Sequence, residues 1–280
     1  NCNGTTTQPY CTIQQAFNVA NPGDTIAIRD SATPYDQSAT LSRSGSSGNP
    51  IVITKDTGHN PIIRYTGNDV HAGAFNLYDV SYITIQGLTF DGAGIFTSQH
   101  ALDIRSSVGT HTNISLLNNT FKNWGGTEAQ QGANTVEHAV IYVLGDTTLS
   151  NFVVQGNLFD GNRHSDVRQI FNVDGALFQN NEHKNNLCGK NTDGSANAIG
   201  LHIVAPGRSN TGTTVRNNTF HDFQQRTACG LTGAYDTLAA VWCDESPANG
   251  LVENNAIWNI QPGQAGGTDP NGNSQEGVGI

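Results

Sequence analysis

The sequence predicts an all-β solenoid, a parallel β-helix in which each strand pairs with its own copies one coil above and one coil below. Three observations carry this reading. A strand-like phrase recurs: LLNNTF (116–121), VQGNLF (154–159), FQNNEH (178–183), VRNNTF (215–220) and VENNAI (252–257), preceded by IQGLTF (85–90) without the asparagine. Its aligned positions, Leu88, Asn119, Asn157, Asn181, Asn218 and Asn255, lie 31, 38, 24, 37 and 37 residues apart. A shared phrase at unequal steps marks a constant coil with loops of variable length. Secondly, Gly and Asn occur 32 times each, while charged residues make up only 13%, about half the usual share. Thirdly, the apolar runs are short and bounded by turn residues, a β pattern. One asparagine per coil, stacked on its copies, can satisfy backbone groups at a sharp bend through its amide.

The elements follow in order. Residues 12–20 place Ile13, Ala16, Phe17 and Ala20 at helical spacing, and Asn21-Pro22-Gly23 ends that helix. A short amphipathic helix ahead of the first strand, residues 23–30, would cap the open end of a solenoid and cover its unpaired edge. Strands are then predicted at 51–55, 61–65 and 75–92. The first strand of each later coil is expected at 101–105, 139–145, 166–173, 198–204, 239–245 and 277–280. Alternation turns Leu102, Ile104, Ile141, Val143, Leu201, Ile203, Val241 and Cys243 inward. It turns Asp103, Arg105, Tyr142, His202, Trp242 and Asp244 outward. Between 166 and 173 the register is ambiguous, because Val167 and Ile170 both claim the interior. The continuous repeat argues for one domain over 1–280. Its last strand stops at Ile280 in mid-coil with no cap, so further chain or a protein contact is expected at that edge.

A net charge of −10 with no basic stripe argues against nucleic acid. An acidic polysaccharide is compatible only if local cations offset the repulsion. The five cysteines show no metal-type spacing. Cys2 and Cys11 flank a short loop and are expected to pair, and Cys229 can pair with Cys188 or Cys243. Four Asn-X-Ser/Thr sequons begin at Asn3, Asn113, Asn118 and Asn217. The last two are read as belonging to the inward stack, where a glycan would not fit. No membrane-spanning run occurs. The chain begins at Asn1 rather than Met, as expected of a processed secreted protein.

The stretch PYCTIQQAFNVANPGDTIAIRD, then SGSSGNPIVITKDTGHNPIIRYTG, then FNLYDVSYITIQGLTFDG resembles the N-terminus of right-handed parallel β-helix proteins of the pectate-lyase-like superfamily. Its wording is most similar to the chondroitinase B and alginate lyase branch. The asparagine phrases extend the resemblance over nearly the whole chain. It implies a right-handed parallel β-helix with a short N-terminal capping helix. That superfamily holds lyases, hydrolases, epimerases, tailspikes and adhesins. The Asn-Lys-Ser and Arg-His-Gly phrases of the lyase branch are absent here.

In such solenoids the substrate lies along the first-strand sheet, so outward residues there are the candidates. β-Elimination at a uronic acid needs a cation or metal to neutralise the carboxylate and a base to take the C5 proton. Tyr142 and His202 are candidate bases and Arg168 a candidate neutraliser. Trp242 is a candidate sugar platform, with Arg105 and Lys184 as further substrate contacts. Arg163, His164 and His183 are loop candidates, His183 and Lys184 being more simply turn residues. Asp244 and Glu245 offer carboxylate oxygens for Ca²⁺. The expected function is a secreted carbohydrate-active protein, a polysaccharide lyase acting on an acidic glycan. The alternative is a non-enzymatic adhesin, surface or filament-forming solenoid.

Overall fold

The computed structural model describes residues 3–67, 72–95, 100–125, 139–190, 196–204, 210–223, 236–244 and 249–260. Among them the chain forms one helix, α1 (Ile13–Val19), and otherwise strands. The strands fall into three parallel stacks. The first stack holds β3 (Ala39–Leu41), β6 (Gly73–Tyr78), β9 (His100–Ser106), the N-terminal half of β12 (Ala139–Gln155), β14 (His164–Asp174), β18 (Ala196–Val204) and β21 (Asp236–Asp244). The second holds β1 (Thr25–Ile28), β4 (Ile51–Lys55), β7 (Ile83–Gln86), β10 (His111–Leu117), the rest of β12, β15 (Leu177–Gln179), β19 (Thr214–Arg216) and β22 (Leu251–Glu253). The third holds β2 (Tyr35–Asp36), β5 (Ile62–Arg64), β8 (Thr89–Asp91), β11 (Thr120–Lys122), β13 (Leu158–Asp160), β16 (Glu182–Lys184), β20 (Thr219–Phe223) and β23 (Ala256–Ile260). The long strands β12 and β14 run through the bend between the first two stacks and join them into one curled sheet. A short strand, β17 (Gly189–Lys190), pairs antiparallel with β18.

The recurring phrase marks the bend between the second and third stacks from β7 onward, and its two letters do different work. The first letter has a left-handed backbone: Gly87, Asn118, Gly156, Asn180, Asn217 and Asn254 have φ of 67°, 55°, 68°, 55°, 55° and 54°. Only Gly and Asn visit that region cheaply. The second letter is the ladder. Asn119 Oδ1 accepts from the Leu88 backbone N–H at 3.0 Å, and the Asn157, Asn181, Asn218 and Asn255 carbonyl oxygens each accept from the preceding rung's N–H at 2.9 Å. Each side-chain amide also donates across the coil, as Asn181 does to Val154 O at 2.9 Å. The other two bends carry left-handed residues of the same kinds, including Asn113, Asn151 and Gly175 at one and Asn123, Gly161, Asn185 and Asn259 at the other. That repetition accounts for much of the Asn and Gly content.

The interior is filled by like residues stacked on like. Phe90, Phe121 and Phe159 overlie one another at 5.0 and 5.1 Å. At the N-terminal end α1 buries Ile13 and Phe17, and Phe17 meets Phe75 edge-on at 5.2 Å. Thr12 closes a capping box with Gln15. The Gln14 amide accepts from Thr40 N–H at 2.7 Å and donates to Thr40 O at 2.9 Å, covering the free edge of β3.

Four expectations change. Asp103 is on the outer face but fully buried, because Arg105 and Tyr78 close over it. Cys243 is exposed and its thiol free, since among the described strands β21 has a neighbour on one side only. The sequon asparagines Asn118 and Asn217 are the exposed left-handed residues, and the buried rungs are the residues after them. His183 and Lys184 are not turn residues but lie in β16, where His183 fills the aromatic stack in the core. The ambiguity in β14 resolves with Val167 inward, in register with Ile141 and Leu201. Ile170 lies on the outer face yet is buried. Cys11 is disulfide-bonded, as is Cys188. Cys2, Cys229 and the edge at 277–280 lie outside the described residues.

Candidate functional site

The outer face of the first stack carries one continuous row of chemistry. Strand register sets Asn76 beside Asp103, Asp103 beside Tyr142, Tyr142 beside Arg168, Arg168 beside His202 and His202 beside Trp242. Parallel strands are about 4.8 Å apart, so the row spans roughly 24 Å, the length of a short oligosaccharide. Beside it, two residues further along each strand, runs the row Tyr78, Arg105, Leu144, Ile170, Val204 and Asp244, apolar in its middle. Of these residues Asn76, Asp103, His202, Ile170 and Val204 are buried, so the partly exposed surface is that of Tyr142, Arg168 and Trp242 with Tyr78, Arg105 and Leu144 alongside.

The N-terminal part of the row is locked. Asn76 accepts from Gly73 N–H and donates to Ser38 Oγ, both at 2.8 Å. Asp103 holds Arg105 in a fork, Nε to Oδ1 at 2.9 Å and Nη2 to Oδ2 at 2.8 Å, and also accepts the Tyr78 hydroxyl at 3.1 Å. This hydrogen bonding raises the Arg105 pKa further. The Arg105 guanidinium lies 5.6 Å from the Tyr78 ring centre and 5.7 Å from that of Tyr142, within cation–π range. The His100 ring is 5.3 Å from the Tyr142 ring.

The C-terminal part is aromatic. His202 and Trp242 stack at 4.3 Å with ring planes 4° apart. His202 is 4% exposed. Its burial, then the positive charges of Arg168 and His164, push its pKa down to about 3. The imidazole is therefore neutral across the physiological range. Because the unfolded chain carries an ordinary histidine of pKa near 6.5, it binds a proton that the fold refuses. The stability held above pH 6.5 is thus lost as pH falls toward 3. A His202→Gln variant is expected to lose about 2 kcal/mol less than the parent between pH 7 and pH 4.5. Denaturant titrations at the two pH values measure this, and equal losses would contradict it.

The row thus gathers Tyr142, Arg168, His202 and Trp242, with Arg105 alongside. Lys184 stands apart on the third stack, near Asp160 (3.9 Å) and Glu182 (3.4 Å). Arg163 turns to Cys188 O at 3.0 Å. Asp244 ends β21, while Glu245 lies outside the described residues. Among the described residues no group of three or more His, Cys, Asp or Glu could hold a metal ion. Sequence reasoning missed His100 and the role of Asp103. The signal for the latter was the Asp-X-Arg spacing itself, which puts both side chains on one face of a strand.

No family model matches this chain, and no curated protein matches it. Among solved structures, two of the GH136 lacto-N-biosidase from Eubacterium ramulus match with TM-scores of 0.55 and 0.52 at 13% identity. They cover 92% of this chain, which spans 54% and 66% of theirs. An alginate lyase from Paenibacillus sp. matches with a TM-score of 0.46 at 11% identity, over 88% of this chain and 92% of its own. The likeness is one of fold. No helix among the described residues is long and apolar enough to cross a membrane.

Proposed function

We propose that this chain is a secreted, single-domain right-handed β-helix that binds an acidic polysaccharide along the first stack and cleaves it by β-elimination. The observation that supports this reading is the row Asp103–Tyr142–Arg168–His202–Trp242. It sets a phenol beside one arginine in the next coil and under a second from the coil before. On a protein of net charge −10 these are the local cations that a uronate would need. Arg168 neutralises the carboxylate, which acidifies the C5 proton. Tyr142, as phenolate, takes that proton. The C4–O4 bond breaks, a C4=C5 double bond forms, and the phenol returns its proton to the departing oxygen. His202, with its pKa near 3, is too weak a base for this step at neutral pH. It backs the Trp242 ring at 4.3 Å, and Trp242, partly exposed, holds a neighbouring sugar. Ca²⁺ at Asp244 and Glu245 would assist binding rather than chemistry.

Hydrolysis, the reaction class named for the lacto-N-biosidase, calls for two carboxyl groups about a glycosidic bond. On the described row the carboxyl is Asp103, held by Arg105. The test is a screen of polygalacturonate, alginate and chondroitin sulfate, with and without Ca²⁺, read by the ultraviolet absorbance of the unsaturated product. Neutral glycans are read in parallel for new reducing ends. Unsaturated product is expected from a uronate polymer, falling by about 10²–10⁴-fold in Tyr142→Phe. New reducing ends without unsaturation would replace the lyase by a hydrolase. Binding without any cleavage would leave the adhesin or surface-protein alternative.

A further inference from the structure

We infer that Asp103 is a positioning residue, whose role is to clamp the Arg105 guanidinium against the face of Tyr142. Its meaning for catalysis rests on Tyr142 acting as the base, but the contact itself can be measured without any substrate.

A fully buried carboxylate is costly unless paired and hydrogen-bonded. Asp103 is 0% exposed and has three donors on it: Nε and Nη2 of Arg105 and the Tyr78 hydroxyl. All come from the outer face. Arg105 stands two residues along the same strand, so the pair could have formed a solvated surface contact. It is instead folded down, with the guanidinium lying between two tyrosine rings at nearly equal distances. An arginine held by a fork has one orientation. A free one would spread over its rotamers and reach out to solvent. The clamp occupies the Nε–Nη2 edge of Arg105, one of the two edges a guanidinium can offer a carboxylate. That separates the two arginines of this face. Arg105 so held conditions the phenol, and Arg168 stands on the other side of Tyr142, in the next coil.

Among the described residues, the charged and titratable groups about Tyr142 are Asp103, Arg105 and His100 on β9, Tyr78 on β6, and Arg168 on β14, with His202 one coil further on. Removing the charge of Asp103 therefore has two opposed effects. If the carboxylate acts only as a nearby negative charge, its loss makes Tyr142 easier to ionise. If it acts by holding Arg105 in place, its loss frees the guanidinium and makes Tyr142 harder to ionise.

The experiment is a pH titration of the tyrosine ¹³C resonances in the full chain, with Tyr142 assigned by its disappearance in Tyr142→Phe. In Asp103→Asn the midpoint of Tyr142 is expected to rise by about one pH unit, a tenfold fall in phenolate at a given pH. Arg105→Gln should raise it by a similar amount, and the double variant no more than either alone. A fall or no change in Asp103→Asn overturns the proposal. Should Asp103→Asn fail to fold, an unchanged midpoint in Arg105→Gln overturns it equally. If the midpoints move as stated yet no uronate polymer is cleaved, the clamp stands and the lyase reading fails.

Discussion

Replacing Asp166 by alanine is expected to lower the unfolding free energy by about 3–5 kcal/mol, and adding His183→Phe to restore most of that loss. Asp166 and His183 form a buried pair inside the coil stack, Oδ2 to Nδ1 at 2.8 Å with side chains 1% and 4% exposed. The other carboxylate oxygen accepts from Asn162 Nδ2 at 2.9 Å. The imidazole lies between Phe159 at 4.4 Å and Phe220 at 4.6 Å. Removing one partner leaves a polar ring in an aromatic stack with its hydrogen bond unmade. Removing both returns the coil to what its neighbours already are. The preceding rungs of the stack carry Phe90, Phe121 and Phe159, and the coils adjoining Asp166 place Val140 and Gly200 opposite it. Asn162 keeps a second acceptor in Phe121 O at 3.1 Å, so the double change leaves it partnered. Guanidinium midpoints of the two single variants and the double variant measure the coupling. A double variant no more stable than Asp166→Ala would mean that the pair is not the unit of stability.

How legible this was in the sequence depends on the range of the interaction. The bend at the asparagine phrase was legible because it is set by two residues with particular backbone and side-chain demands, repeated coil after coil; the other two bends, built from the same residue types, were not read. The inward and outward sides of the first strands were legible as far as the period of two held. It breaks at the start of those strands, where the ladders pass over Val140, Asp166 and Gly200. Asp166 could therefore turn into the core two residues before Arg168 on the outer face, against simple alternation. His183 was misread although the signal was present. Its phrase, FQNNEH, ends in histidine where LLNNTF, VQGNLF and VRNNTF end in phenylalanine. Reading the sixth letter as a core position would have placed it. The order Tyr142, Arg168, His202, Trp242 was legible because equivalent positions of successive coils must stack. That Arg105 is tied down by a buried Asp103 was not, since burial on an outer face depends on what closes over it.

Replacing Asn181 by alanine is expected to cost about 3 kcal/mol, and replacing it by aspartate to recover little. Asn181 is a middle rung, 2% exposed. Its carbonyl oxygen accepts from the Asn157 backbone N–H at 2.9 Å and from the Asn157 side-chain amide at 3.1 Å. Its own amide donates to Val154 O at 2.9 Å and to Asn218 Oδ1 at 3.0 Å. Alanine leaves buried donors and acceptors on both adjacent coils unmade, each costing about 1–3 kcal/mol with partial relaxation. Aspartate keeps the acceptor but loses the donor, and it brings a charge into a dry bend facing the Val154 and Asn218 oxygens. The comparison that isolates the ladder is Asn180→Ala, one residue earlier. Asn180 is exposed with φ of 55°, so its replacement costs only the left-handed backbone preference, about 1–2 kcal/mol. Urea unfolding of the three variants measures the order. A larger loss for Asn180→Ala than for Asn181→Ala would show that the bend is held by backbone conformation, with the stacked amides secondary.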